Sequence, residues 1–179
     1  MNQISPDEAP ENVNAAYELV RAKLGRVPNM YQVMANSPAV LLAYVQLQSA
    51  LAEGRLSKKI AESIALAAAE KNGCEYCLSA HDFLGRKVGL SSDDIFNARS
   101  FNSPDPRLQE ALTFSRKLLS ADDRPGEEDL IALRAAGYSD GEVLEIIAHV
   151  VRNTFTNYIN LVAGTKVDWA AIVKPLEAE

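Results

Sequence analysis

Two helices joined at a single break constrain this chain more than any other feature. Ser57 to Lys71 places Ile60, Ile64, Ala67 and Ala68 at helical spacing, and Asn72-Gly73 stops that helix. A second helix opens near Cys74 and runs to about Val88, ahead of Gly89. Any fold must therefore pack two successive helices back to back across a short turn. The same punctuation recurs along the chain. The spacing predicts helices over 13–24, stopped by Gly25, and over 30–35 after Pro28-Asn29. Ser37-Pro38 offers a cap and a proline at the first helical position for a helix over 39–51, which ends at Gly54. Ser91 and Ser92 can cap a short helix over 93–99 with acids in its first turn.

Phe101 to Pro106 holds two prolines and reads as the clearest loop. Beyond it, helices are expected over 108–121 and 130–136, and Ser139 with Glu142 forms a capping box for a last, long helix. No stretch shows the period-two alternation of a strand, so the expected fold class is all-α. Residues 1–12, with Pro6 and Pro10 among polar neighbours, read as an irregular arm before a single compact helical domain over 13–179.

On the last helix, Val143, Ile146, Ile147, Val150, Val151, Phe155, Tyr158, Ile159 and Val162 form a continuous apolar face, and Gly164 stops it. The opposite side carries His149, Asn153, Thr156 and Asn160, with Asn157 at its edge. A solvated face is normally rich in Lys and Glu. This neutral stripe reads either as an amide-rich surface or helix contact, or as a face turned toward a subunit interface or a cavity near the cysteines.

The chemistry concentrates at the start of the second helix of the central pair. The only two cysteines, Cys74 and Cys77, lie three residues apart, and His81 follows four after the second. Residues three and four apart share a helix face, so the cysteines are within bridging range and His81 adjoins Cys77. Unpaired N–H groups and the positive end of the dipole in a first turn favour thiolate over thiol. Glu62, on the preceding helix among Ile60, Ala61, Ile64, Ala65 and Leu66, completes the outline of a relay. In it a carboxylate orients an imidazole, and the imidazole takes a thiol proton. Glu70 competes as the acid, and pairing with Lys58 or Lys59 competes as the fate of Glu62. Cys74, at the helix opening, is expected to be more exposed than Cys77.

A zinc clip is the rival reading, with Cys74, Cys77, His81 and His149 as Cys2His2 ligands. Structural zinc modules usually repeat a second knuckle of similar spacing, and none is present. A thioredoxin-type reading needs strands. The net charge of −6 argues against a nucleic-acid or anionic-membrane surface, and no apolar run has the length of a membrane span. Met1 to Pro10 lacks the basic and apolar regions of a signal peptide, so a cytoplasmic location is expected, where a Cys-x-x-Cys serves redox or metal chemistry.

The spacing Glu-x11-Cys-x2-Cys-x3-His, carried by Glu62, Cys74, Cys77 and His81, resembles the alkylhydroperoxidase D-like branch of the carboxymuconolactone decarboxylase family. The resemblance is strongest over 38–98 and extends more weakly to Val27-Pro28-Asn29 and the Asn-bearing last helix. It implies an all-helical fold, homotrimers or hexamers, and thiol peroxidase activity without a cofactor. An external dithiol, lipoyl or thioredoxin-like, would re-reduce the pair. By the same resemblance Cys77 is the peroxide-attacking thiol, Cys74 the resolving thiol, and Glu62 with His81 the relay. Alkylhydroperoxidase D has a histidine between its cysteines where this chain has Tyr76, a candidate substrate or relay contact. The resulting expectation is a hydroperoxide-reducing oxidoreductase. The alternatives are a general disulfide reductase or redox sensor, a decarboxylase of the same family, and a zinc-clipped interaction domain.

Overall fold

The computed structural model describes residues 1–176, which are all-helical and contain no strand. Nine α-helices follow in order: α1 Glu11–Leu24, α2 Asn29–Met34, α3 Pro38–Ala52, α4 Lys58–Lys71, α5 Glu75–Lys87, α6 Ser92–Arg99, α7 Pro106–Leu118, α8 Glu127–Ala135 and α9 Asp140–Ala163. No helix of the described residues is long and apolar enough to cross a membrane. The expected helices are present, with shifted ends. Asp105 caps α7 through the N–H of Arg107, so Pro106 belongs to the helix and not to the loop before it. Asp129 accepts from the N–H of Gly126, which starts α8 at Glu127 rather than Leu130.

Helix α4 is the axis of the molecule. Every residue from Ser63 to Ala69 is fully buried, more than the single apolar face read from the sequence. Four alanines in that run leave little bulk on any side, so α5, α6, α7 and α9 all pack directly against it. One core lies between α4, α7, α8 and α9, built on Ile64, Phe114, Leu133 and Ile146. Another joins α1, α2 and α3 to the start of α5, and both cysteines sit in it.

The turn from α4 to α5 is closed by two backbone bonds, Gly73 N–H to the Glu70 carbonyl (3.0 Å) and Cys74 N–H to the Ala69 carbonyl (2.9 Å). This is the hydrogen-bond pair of a Schellman stop, and it needs its penultimate residue in the left-handed region. Gly73 meets that need with φ +65°. Cys74 then caps α5, its sulfur accepting from the N–H of Cys77 at 3.3 Å. One residue thus ends one helix and begins the next.

Helix α9 is turned the other way from a simple amphipathic reading. Arg152, Asn153, Thr156, Asn157 and Asn160 are buried, while Val151, Phe155, Tyr158 and Val162 are 60%, 41%, 58% and 74% exposed. The apolar face read from the sequence is therefore split. Val143, Ile146 and Val150 enter the core, and the row from Val151 to Val162 faces outward. The polar stripe faces the cysteines.

The two ends of the chain lie against this frame. The N-terminal amine donates to the Ala163 carbonyl, and Tyr17 donates to the Ile4 carbonyl. Beyond α9 the tail crosses α5, where the N–H of Val173 donates to Ser79 Oγ at 2.9 Å.

Candidate active site

The Schellman turn orients α5 so that Cys77 and His81 face Glu62 on α4. The imidazole Nδ1 of His81 lies 2.8 Å from Glu62 Oε2, with both side chains largely buried. An ionised carboxylate only accepts, so Nδ1–H donates and Nε2 is left as the basic nitrogen. Glu62 forms no ion pair with Lys58 or Lys59. Glu70 is engaged elsewhere, bonded to Arg99 at 2.7 Å and to the N–H of Leu176 at 2.6 Å.

Cys74 and Cys77 are joined as a disulfide, with their Cα atoms 5.3 Å apart. Their expected difference in exposure is absent: Cys74 is 1% and Cys77 2% exposed. The cap explains this, since a residue that closes α4 and opens α5 is pinned between two helix ends and packed into the α1–α3 core. What separates the two sulfurs is direction. Cys77, with Glu62, His81 and Tyr76, lines an inner chamber of about 80 Å³; Cys74 does not line it.

Residues outside the motif complete the site around the thiol. Asn160 Nδ2 donates to Cys77 Sγ at 3.3 Å, across 83 positions of sequence. The polar stripe had marked Asn160, but no local signal tied it to the thiol. Asn72, at the end of α4, donates to Asn157 Oδ1 at 2.8 Å and helps set the register of α9 against the turn. Asp168 could not be read from the sequence, because the tail has no periodicity. It accepts from Tyr76 Oη (2.9 Å), from the N–H of Asn29 (3.0 Å) and from Arg26.

The Tyr76 ring walls the chamber, but its hydroxyl is occupied. It donates to Asp168 and accepts from the N–H of Met30 at 3.3 Å. Burial pushes this phenol well above its ordinary value, so it is a neutral wall and an anchor for the tail. Trp169 stands beside it on the chamber wall and stacks near Phe83, with Arg26 over its ring. His149 lies on α9 and is 4% exposed; burial, and then the Arg152 charge, push it down to about 4. Among the described residues no three His, Cys, Asp or Glu side chains gather in a metal-binding arrangement.

An inner chamber with one sulfur on its wall, a carboxylate–imidazole pair beside it and an amide donor on the sulfur can take up a thiol proton and hold a thiolate. The model of the carboxymuconolactone decarboxylase family matches residues 38–116, the span from the start of α3 to near the end of α7. No match was found among curated protein sequences. Among solved structures, an alkylhydroperoxidase AhpD core described as an uncharacterized peroxidase-related protein from Ralstonia eutropha JMP134 is 27% identical. It is covered over 94% of each chain, with a TM-score of 0.77. An uncharacterized peroxidase-related protein from Silicibacter sp. TM1040 is 26% identical over 88% of this chain and 85% of its own, at 0.78. The debrominase Bmp8, in complex with 2,3,4-tribromopyrrole, shares the fold at 19% identity and a TM-score of 0.78, over 94% of this chain and 92% of its own. The family match is thus centred on the dithiol helices, within residues 38–116, and the fold is shared almost end to end with peroxidase-related proteins, so this chain is similar to the carboxymuconolactone decarboxylase family in its AhpD-like form.

Proposed function

We propose that the protein is a thiol-dependent peroxidase that reduces hydroperoxides through Cys77 and Cys74. The observation that carries this reading is Cys77 Sγ on the wall of a chamber shared with the Glu62–His81 pair, with Asn160 donating to it. Starting from the dithiol, His81 Nε2 takes the Cys77 proton and Glu62 holds the resulting imidazolium. The thiolate attacks the distal peroxide oxygen, the O–O bond breaks, and the leaving alkoxide takes the proton back from His81 as an alcohol. Cys77 is now a sulfenic acid. Cys74 attacks its sulfur, water leaves, and the disulfide forms. An external dithiol, a slender lipoyl or thioredoxin-like donor, then reduces the pair and is itself oxidised. Because Cys77 is the sulfur facing the chamber, the donor attacks there.

The exposed row Val151, Phe155, Tyr158 and Val162 repeats at the spacing of a helix seam. Soluble monomers rarely leave such a row open. A second copy of this chain covers it in the homo-oligomer we propose.

Stopped-flow oxidation of the reduced protein by hydrogen peroxide and by cumene hydroperoxide tests the activity. Trp169, the only tryptophan, walls the chamber and reports the change. Rates well above that of a free thiol are expected, lost in Cys77→Ser. Rates no better than a free thiol, with rapid exchange against small disulfides, would instead make the pair a general disulfide reductase or redox sensor.

A further inference from the structure

Beside the inner chamber lies a larger one of about 220 Å³, close to the ~300 Å³ lower bound of ordinary small-molecule sites. The two share Leu24, Tyr31, Gln48, Glu62, Leu84 and Arg152 as walls, so they lie side by side, with Arg152 bordering both and Cys77 on the wall of the inner one. The outer chamber is lined mainly by aliphatic side chains of α1, α3 and α4, such as Leu19, Val45 and Ala61.

Arg152 is anomalous there. It is 9% exposed, and no ion pair among the described residues includes it. Among the described residues its Nε has no hydrogen-bond partner, and its one side-chain hydrogen bond is a long one, from Nη2 to Asn153 Oδ1 at 3.5 Å. A guanidinium offers five N–H donors and keeps its charge. Burying one without an acceptor is costly, so such a group normally has a partner. The neighbouring acids do not supply it. Glu62 is held by His81, and Glu145 accepts from the N–H groups of Arg55 and Leu56. Burial raises the phenols of Tyr31 and Tyr44, which keeps both neutral, and His149 is neutral above about pH 4. Lys23 and Lys58 add positive charge on the outer chamber's lining.

We infer that Arg152 is a recognition residue for the anionic group of the substrate, which is an organic acid with an apolar body. The apolar body lies along the aliphatic walls, and a carboxylate takes the paired guanidinium N–H donors. The reacting end reaches Cys77. Asn160, which touches Cys77, is eight residues beyond Arg152 on α9, about 12 Å along the axis. Acid and reacting group are therefore at separate positions on the ligand. This inference rests on the peroxidase reading for the identity of the reacting group, a hydroperoxide, but not for the binding of the acid.

Two matched pairs test it. The unreactive probes are 4-isopropylbenzoate and 4-isopropylbenzyl alcohol, titrated against Trp169 fluorescence in the oxidised, full-length protein. The reactive pair is cumene hydroperoxide and its para-carboxylate, mixed with the reduced protein. A charge-assisted bidentate contact in a desolvated site predicts a preference of about 10- to 100-fold for the acid in both experiments. Arg152→Met should remove the preference, and Arg152→Lys should keep part of it. The wild-type pairs carry the test even where a variant fails to fold. Equal affinity for acid and alcohol, or a preference that survives in Arg152→Met, overturns the inference. Acid binding without peroxide turnover would leave it standing and overturn the peroxidase reading. Equal, fast reduction of both cumene hydroperoxides with no acid preference would do the reverse.

Discussion

Replacing Asn160 by Leu should raise the pKa of Cys77 in the reduced protein by about 1–2 units. Leucine keeps the branched shape of the side chain and removes only the donor that lies 3.3 Å from Cys77 Sγ. Hydrogen bonds to charged groups contribute about 1.5–3 kcal/mol, and one pKa unit corresponds to about 1.4 kcal/mol. The site is buried, so water does not replace the lost donor. The remaining support for the thiolate is the first turn of α5, where Cys77 is the third residue. Absorbance of the thiolate near the far ultraviolet, followed from acid to alkaline pH, gives the pKa directly, with Cys77→Ser as the blank. The rate of peroxide oxidation should lose about 10- to 100-fold at neutral pH and recover as the pH is raised above the new pKa. Asn160→Asp should raise the pKa further, because it places an anion against the thiolate. A Cys77 pKa unchanged in Asn160→Leu would mean that the amide does not hold the sulfur in the reduced state, and the reasoning fails.

Glu62→Gln should leave the fold intact and slow peroxide oxidation by about 10²–10⁴-fold, since an amide cannot stabilise the imidazolium; stopped-flow rates check it, and a rate within twofold of wild type refutes the relay. Cys74→Ser should consume one equivalent of peroxide and leave a sulfenic acid that dimedone traps at Cys77, whereas Cys77→Ser should be inert; the opposite pattern reverses the roles. His149 takes up its proton near pH 4 in the folded protein and near 6.5 when unfolded, so its contribution to stability is complete above about pH 6.5 and is lost as the pH falls toward 4, by roughly 3 kcal/mol at most. Chemical denaturation of wild type and His149→Gln across that window should show the steeper decline in wild type, and parallel curves would refute it. Tyr158→Glu, in the exposed row of α9, should reduce the mass seen by light scattering to 19.5 kDa; a wild-type protein already at that mass would refute the assembly.

How much of this could be read from the chain depends on the range of the interactions. The α4–α5 joint is written locally, in Asn72-Gly73 and the cysteine that follows, and the Glu62–His81 contact follows once those two helices are placed back to back. The all-helical fold was legible for the same reason: caps, stops and periods are short-range. The orientation of α9 was not. Its apolar residues outnumber its polar ones, and sequence alone favours burying the longer apolar row. In the structure Arg152, Asn153, Thr156 and Asn160 nevertheless turn inward, where Asn160 donates to Cys77 and Asn153 and Thr156 bond back to carbonyls of α9 itself. Arg152 was overlooked because a lone cation on a long helix ordinarily reaches solvent. Asp168 lies in a tail whose position is set by partners in the α1–α2 connection, α2 and α5 that are distant in sequence.

The residue shared by two helix ends has a kinetic consequence. The bonds that place Cys74 beside Cys77 are backbone ones, from Cys74 N–H to Ala69 and from Leu78 N–H to Cys74, and they do not depend on the link between the sulfurs. Reduction therefore leaves the two side chains in register, with 5.3 Å between their Cα atoms. Well-oriented intramolecular partners act at effective molarities of about 10⁵ M or more, against which a second peroxide molecule at cellular concentrations cannot compete. On the peroxidase reading, the sulfenic acid is captured by its neighbour before it can be driven to the irreversible sulfinic state. The turn that organises the fold thereby protects the thiol from its own substrate.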